Sequence, residues 1–422
     1  MSFISTFNSL SVNGWQGKNN INFILQTTET ISPAQAGVEL SRNIGINYTG
    51  NIIIASAPKY AKTVGVITYT DVGAVCVYTG SGNTWTQTET LTANVAGAYA
   101  NGEYQGLAAI SISGDGIYIS SSGSNAYNST LDGEGIVYIF KSNGSSYTKQ
   151  TQVAGSGAAN NGNFGSSISL NEYGNYMCVG AQNESVSSTN CGVAYIFNRS
   201  GNTWSQQQRL TPSDVVANLF FGASCSIDST GTYAVIGGTG YTGANTNSGA
   251  AYVFSRSGSS WTEVQKLTPS SPVVVNQFFG QEVAISDNGD IIAISGPTQG
   301  GVSSPYGGSV WIFNKSGNSW TETQRIDSVD PGTGQFGFGL AMDKYGSWLI
   351  ISNPFIPASY AFYNSQGTFS YIQKLNQNEL PNAGDYAQQV ACSNDASYVL
   401  VSHPGATETY ANQGDFEIYK QY

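Results

Sequence analysis

The chain has 422 residues, only 10% of them charged, and its 26 acidic against 15 basic side chains leave a formal net charge of −11. So few and so scattered Lys and Arg exclude the basic surface that a phosphate backbone requires, and with it nucleic acid as a partner. An aromatic content of 12% excludes disorder, and 51 Gly among abundant Ser, Thr and Asn is the composition of short strands joined by polar turns.

The N-terminal stretch MSFISTFNSLSVNGW has neither the basic flank nor the apolar core of a secretory leader, and no segment approaches the ~20 apolar residues of a membrane helix. Membrane insertion is therefore not expected. Asn22-Phe23-Ile24-Leu25-Gln26 alternates as a strand does. A four-strand unit starting near Leu40 contains Ala74-Val75-Cys76-Val77-Tyr78 and Trp85, and a second, starting near Gly106, contains Ile136-Val137-Tyr138-Ile139-Phe140 and Tyr147.

From Phe164 the repetition is explicit. Phe164-Gly165 recurs as Phe221-Gly222, Phe279-Gly280 and Phe336-Gly337, at steps of 57, 58 and 57 residues. Each pair opens an alternating strand, then a short turn (NEYGNY, DSTGTY, DNGDII, DKYGSW) and an apolar strand. A variable loop, a third strand such as GVAYIF, a tight SGN-type turn and an outer strand such as NTWSQQQRL complete the unit. Four-stranded units repeated in series predict an all-β fold, a single seven-bladed β-propeller of four-stranded antiparallel blades. The blades are expected at about 37–92, 104–153, 164–211, 221–268, 279–326, 336–375 and 386–422, the domain filling residues 1–422.

The last unit, from QQVACSNDASYVLVSHP to DFEIYKQY, has three strands. Its missing outer strand is supplied at the other end: Phe23 lies 17 residues before Leu40, as Trp204 lies 17 before Phe221. The N-terminal strand, 20–27, is thus expected to complete the last blade and leave no sheet edge open.

The Phe-Gly pair resembles the FG-GAP repeat of integrin α-subunit propellers and many surface proteins. The second element of that repeat reads here as Ser56-Ala57-Pro58, Gly180-Ala181-Gln182, Ser295-Gly296-Pro297, Ser352-Asn353-Pro354 and Ser402-His403-Pro404. The resemblance implies a recognition or adhesion propeller, and in that family the first turn often holds calcium in a DxDxDG loop. This chain departs from the pattern: Asp228-Ser229-Thr230-Gly231 and Asp343-Lys344-Tyr345-Gly346 offer one carboxylate each, and Asp287 with Asp290 is the nearest approach to a cage. No metal and no cofactor are expected.

Cys76, Cys178, Cys191, Cys225 and Cys392 form no CxxC pair and read as small buried residues, with a Cys178–Cys191 bridge as the alternative. The recurring Trp85, Tyr147, Trp204, Trp261, Trp320 and Phe369 read as packing residues, because a ligand cage has no reason to repeat in every unit.

Strand alternation places the short first-to-second and third-to-fourth turns on one face, and the long second-to-third loops and blade connections on the other. Those long loops differ from unit to unit, which is where binding residues sit on a rigid scaffold. The candidate ligand-binding residues on this face are Tyr60, Tyr69, Tyr99, Tyr127, Tyr241, Tyr306, Phe355, His403 and Tyr410. Their pattern, exposed rings among Asn, Ser and Gly, suits a glycan or protein partner. His403, the sole histidine, reads as a loop substitution with no flanking triad sequence. The expected function is a non-enzymatic recognition or adhesion module at an exterior surface, extracellular or on a virion. The alternative is a structural subunit of a larger assembly such as a virus particle or surface layer, and a glycan-active enzyme ranks last.

Overall fold

A computed structural model describes residues 21–93, 104–123, 135–157, 162–243, 245–270, 273–297, 307–330, 334–356, 358–376, 389–406 and 413–422. It contains seven four-stranded antiparallel sheets, and no helix occurs among the described residues. Blade three shows the plan. Phe164–Leu170 lies innermost, followed outward by Tyr176–Ala181, Val193–Ser200 and Thr203–Leu210. The innermost strands of successive blades touch all the way round, and that of blade seven touches that of blade one, so the sheets form a closed ring. In blade seven the chain supplies Val390–Cys392, Tyr398–His403 and Asp415–Gln421, and the outer place is filled by Phe23–Glu29. Phe23 pairs with Gln421 and Glu29 with Phe416, as the spacing from Leu40 predicted.

The repeated residues are the joints between blades. The Gly of the Phe-Gly pair has φ of 94° in blades three, four and five, a conformation open to glycine and strained for other residues. A Cβ on Gly222 would lie 2.4 Å from the Val193 carbonyl oxygen of the preceding blade, so the second requirement is close backbone approach. The Phe is fully buried and meets an aromatic of its own third strand edge-on: Phe221 on Tyr252 at 5.4 Å, Phe279 on Trp311 at 5.3 Å.

The outer-strand aromatics are packing residues, as their periodicity implied. Trp85, Trp320 and Phe23 are all under 9% exposed, and each stacks edge-on against the preceding blade: Trp85 on Tyr398, Trp320 on Tyr233, Phe23 on Trp348. In blades three to six a glutamine four residues further along the outer strand clamps the next blade. The Gln265 side chain accepts from Trp320 N at 2.7 Å and donates to Trp320 O at 2.7 Å; Gln324 does the same to Phe369, and Gln373 to Phe23. The Gln373 clamp and the Phe23–Trp348 contact fasten the N-terminal strand sideways as well as to its own sheet.

At the short-turn end the first turns form a second ring. Tyr48 N donates to Gly114 O, Asp115 N to Glu172 O, the Asn171 side chain to Ser229 O and Ser229 N to Asp287 O. Asp287 N then donates to Lys344 O, Lys344 N to Asn394 O, and Asn394 N returns to Tyr48 O. Seven hydrogen bonds, one per blade junction, thus run head to tail around the axis. Each turn is also capped internally: Asp228 accepts from Thr232 N and Tyr233 N, Asp343 from Ser347 N and Trp348 N, and Asn171 from Asn175 N and Tyr176 N. These carboxylates are turn caps, the role expected of a turn-initiating Asp.

One element was not foreseen. The long loop of blade one folds back as a hairpin, Lys62–Val64 with Ile67–Tyr69. Its turn exposes Val64, Val66 and Ile67, Val66 almost completely.

Candidate binding site at the channel mouth

The seven inner strands converge on a central channel. At the long-loop end, the residues that follow the Phe-Gly position in each blade point inward and line a cavity of about 630 Å³. Arg42 and Asn43 come from blade one, Gln281 and Glu282 from blade five, Phe338 from blade six and Gln389 from blade seven. Blades three and four contribute smaller groups, Ser166, Ser167, Ala223 and Ser224. The wall is therefore amides and hydroxyls with one guanidinium, one carboxylate, the rings of Phe338, Phe164 and Tyr104, and aliphatic side chains between them.

The backbone beneath these side chains is fixed by the second repeated element. The hydroxyl of its serine accepts an amide from the inner strand: Ser56 from Asn43 N at 2.8 Å, Ser295 from Glu282 N at 3.0 Å, Ser352 from Gly339 N at 2.8 Å, Ser402 from Gln389 N at 2.8 Å. In blades three and four that serine is Gly180 and Gly237. A Cβ there would lie 2.0 Å from the carbonyl oxygen of Gly222 or Gly280 in the next blade. The mouth serines compensate, Ser167 donating to Gly222 O at 3.0 Å and Ser224 to Gly280 O at 2.8 Å. Side chains at the mouth thus vary on a backbone that does not.

Glu282 is the electrostatic centre of the cavity. Burial pushes its carboxyl up to about 7, against which a hydrogen bond from the Gln389 side chain acts to lower it. Arg42, the cation of the wall, is turned toward Glu39 at 3.4 Å.

The opposite end of the channel is crossed by side chains from four blades. The Tyr48 hydroxyl donates to Asp287 Oδ1 at 2.6 Å, and Lys344 Nζ lies 3.6 Å from Asp287 Oδ2 and 3.5 Å from Glu172 Oε1. Burial raises the Asp287 carboxyl while Tyr48 and Lys344 oppose the rise, and burial with the nearby carboxylates raises the Tyr48 phenol. Asp287 therefore faces the channel axis, whereas Asp290 is exposed and accepts from the Asn288 side chain. The two carboxylates do not share a loop cage, because Asp287 is the second residue of its turn and Ser286 is the cap. Among the described residues no group of three or more His, Cys, Asp or Glu is placed to hold a metal ion.

The structure rearranges the candidates named from sequence. Tyr60 is not an exposed loop residue: it is 7% exposed and part of the blade-one core, since the hairpin after it folds the loop back over its ring. His403 is not in a loop. It ends the strand Tyr398–His403, is 2% exposed, and its Nδ1 lies 2.7 Å from Asp415 Oδ1 across the strand pair. A cross-strand position facing the blade interior requires a buried partner for a polar ring, and Asp415 supplies it. Tyr69 is half-buried on the hairpin, Phe355 is 58% exposed, and Tyr241 is half-buried with Lys266 Nζ 3.2 Å from its ring centroid. None of these five lines the mouth cavity. Tyr99, Tyr127, Tyr306 and Tyr410 lie outside the described residues. All five cysteines are free; Cys178 neighbours Cys225, whose Sγ is 3.4 Å from the Cys178 carbonyl oxygen, rather than pairing with Cys191.

The residues that sequence reasoning passed over are the pairs directly after the Phe-Gly position. Their signal was available: Ser166-Ser167, Ala223-Ser224, Gln281-Glu282 and Phe338-Gly339 change chemistry at a fixed register where the flanking residues repeat.

Comparison with known proteins agrees with this geometry. A family model described as FG-GAP repeat matches residues 204–254, from the outer aromatic of blade three to the third strand of blade four. No curated protein sequence matches the chain. Among solved structures, the β-propeller domain of Cps50 (Swd1) from Myceliophteria thermophila is similar in fold at 10% identity, with a TM-score of 0.58 over 93% of this chain and 99% of that one. At that identity the likeness concerns the fold alone. With its N-terminal strand in the last sheet, the chain is a seven-bladed β-propeller, and one of its units, at residues 204–254, matches the FG-GAP repeat.

Proposed function

We propose that the chain is a non-enzymatic recognition module that seats a glycan or protein partner on its long-loop face, anchored in the channel mouth. One observation carries this reading: the wall of the mouth draws a different polar or aromatic group from each of several blades, on a backbone that the same serine hydroxyl anchors in blades one, five, six and seven. Repetition beneath and variation above is how a scaffold presents a site. FG-GAP propellers are often binding or adhesion modules, which supports the same class. The mouth offers donors and acceptors for hydroxyls (Asn43, Gln281, Gln389) and a ring, Phe338, for an apolar face. His403 does not serve as a general base on this reading, since its imidazole is buried in blade seven against Asp415.

A glycan array and a cell-surface protein screen test the proposal, each run in parallel with a Gln281→Ala/Phe338→Ala double variant. Ligands that bind the native chain and lose about tenfold or more on the variant support it. Hits that are indifferent to the variant, or none, sink it.

A further inference from the structure

Within the reading of the mouth as a ligand site, on which this rests, we infer that the group anchored there is a primary ammonium, held by the Glu282 carboxylate. The chemical class is a protonated amine, carried by an amino sugar or a lysine side chain.

Glu282 stands in the cavity wall, and the side chain that hydrogen-bonds it is the neutral Gln389 amide. No cation contributes to its electrostatics. The charged side chains of the wall are Arg42 and Glu282, and the other titratable ones are Tyr104 and Cys225. Arg42 is engaged by Glu39, itself also bound to Lys59 at 2.5 Å. Every other ion-pairing carboxylate near this face has a cation in hand: Glu184 has Arg209, Asp214 has Lys266 at 2.5 Å, Asp330 has Lys374. Glu282, half-buried in the cavity wall, has no ion pair among the described residues. A carboxylate partly withdrawn from water takes up either a proton or a cation, and its rise to about 7 is the proton's share. The cavity is large enough for a side chain or a sugar unit to deliver the cation instead. The same cavity wall carries the Gln281, Gln389 and Asn43 amides, whose carbonyl oxygens are acceptors for the remaining N–H groups of an ammonium, which has three donors and no acceptor.

Proton linkage gives a signature that a neutral ligand lacks. Near pH 7 part of the Glu282 population is protonated, and ammonium binding favours the carboxylate, so protons are released on binding. Affinity for a lysine amine, which stays protonated, therefore rises from pH 6 to pH 8, whereas an amino-sugar amine deprotonates in the same range and takes up a proton that offsets the release.

The test is calorimetric titration of the full chain with three probes: a glucosamine oligomer, its N-acetylated counterpart and a lysine-containing tripeptide. Each is run in two buffers of different ionisation enthalpy, on the native chain and on Glu282→Gln. Expected is binding of an amine probe, with net proton release in the case of the lysine probe, weakened about tenfold to a hundredfold in E282Q, and no binding at that site by the acetylated probe. Preference between the glucosamine and lysine probes identifies the source of the amine. Equal binding of amine and acetylated probes, or no loss in E282Q, overturns the inference and leaves the recognition reading standing. Failure of both amine probes to bind overturns it as well, whereas failure of the separate screens with the Q281A/F338A variant removes the recognition reading itself. Unchanged thermal unfolding of E282Q excludes a folding artefact.

Discussion

The two ends of the central channel are built on opposite rules. At the short-turn end, seven turns are linked by a head-to-tail circle of hydrogen bonds, and Tyr48, Asp287, Lys344 and Glu172 reach across the axis to one another. At the long-loop end the bonds between blades lie in the wall itself, as from Ser167 to Gly222 and Ser224 to Gly280, and Arg42, Gln281, Glu282, Phe338 and Gln389 face an open volume. The first arrangement satisfies its polar groups internally, and the second leaves chemistry turned toward whatever enters. A ring held at one end can vary the other without losing its shape, and the residue identities follow that division.

The comparison can be broken most directly by removing the strand that closes the ring. Deleting residues 1–30 takes away the outer strand of blade seven, and with it the Gln373 clamp and the Phe23–Trp348 contact. An exposed edge strand is a template for pairing, so the expected product is aggregated or lacks a cooperative unfolding transition, as read by size-exclusion chromatography and thermal scanning. A soluble chain with native unfolding would show that the ring does not depend on its closure.

A repeated joint comes next. Trp320→Ala removes a side chain that is 2% exposed, packed on Tyr233, and donating from Nε1 to Gly289 O. The expected loss is about 3–5 kcal/mol by denaturant unfolding. Gln324→Ala, which undoes one clamp on Phe369, is expected to cost about 1–3 kcal/mol.

The pH dependence of stability separates the two ends again. Burial pushes Asp343, a turn cap, up to about 6, and Glu282, at the mouth, up to about 7. A carboxyl raised on folding contributes stability that is present at low pH and lost as pH rises through its folded value. The melting temperature is therefore expected to fall between pH 5 and pH 8. Asp330, held below its ordinary value by Lys374, acts in the other direction and only at more acidic pH. Glu282→Gln flattens the upper part of the fall; an unchanged profile in that variant would remove Glu282 from the account. The smallest effect belongs to the mouth. Phe338→Ala is half-buried in an open cavity, and its cost is expected to stay below about 1 kcal/mol while ligand binding suffers.

Much of the frame was legible in the sequence because each unit states it again. The Phe-Gly spacing marks the blade joints, the tryptophans mark the outer contacts, and the place of Phe23 before Leu40 assigns the closing strand. The mouth was not legible in the same way. Glu282 and Gln389 share a cavity only because the inner strands of separate blades converge, and distance along the chain carries no trace of that. Tyr60 and His403 misled for a local reason: a loop can double back as a hairpin over a ring, and a strand can run one residue further than its apolar pattern when a buried Asp415 waits opposite. The family resemblance pointed to the first turns as the place for chemistry, and these hold the structural circle instead.

The pairing of Phe23–Glu29 with Asp415–Gln421 has a consequence for biosynthesis. Phe23–Glu29 cannot find its partner until Asp415–Gln421 has left the ribosome. While the six intervening blades emerge, each with its own four strands within reach, the chain carries an unpaired strand. Ring completion is thus a late event of the non-local kind that is slow and vulnerable to capture by another chain. A nascent propeller of this design is at greatest risk in the interval before Asp415–Gln421 emerges.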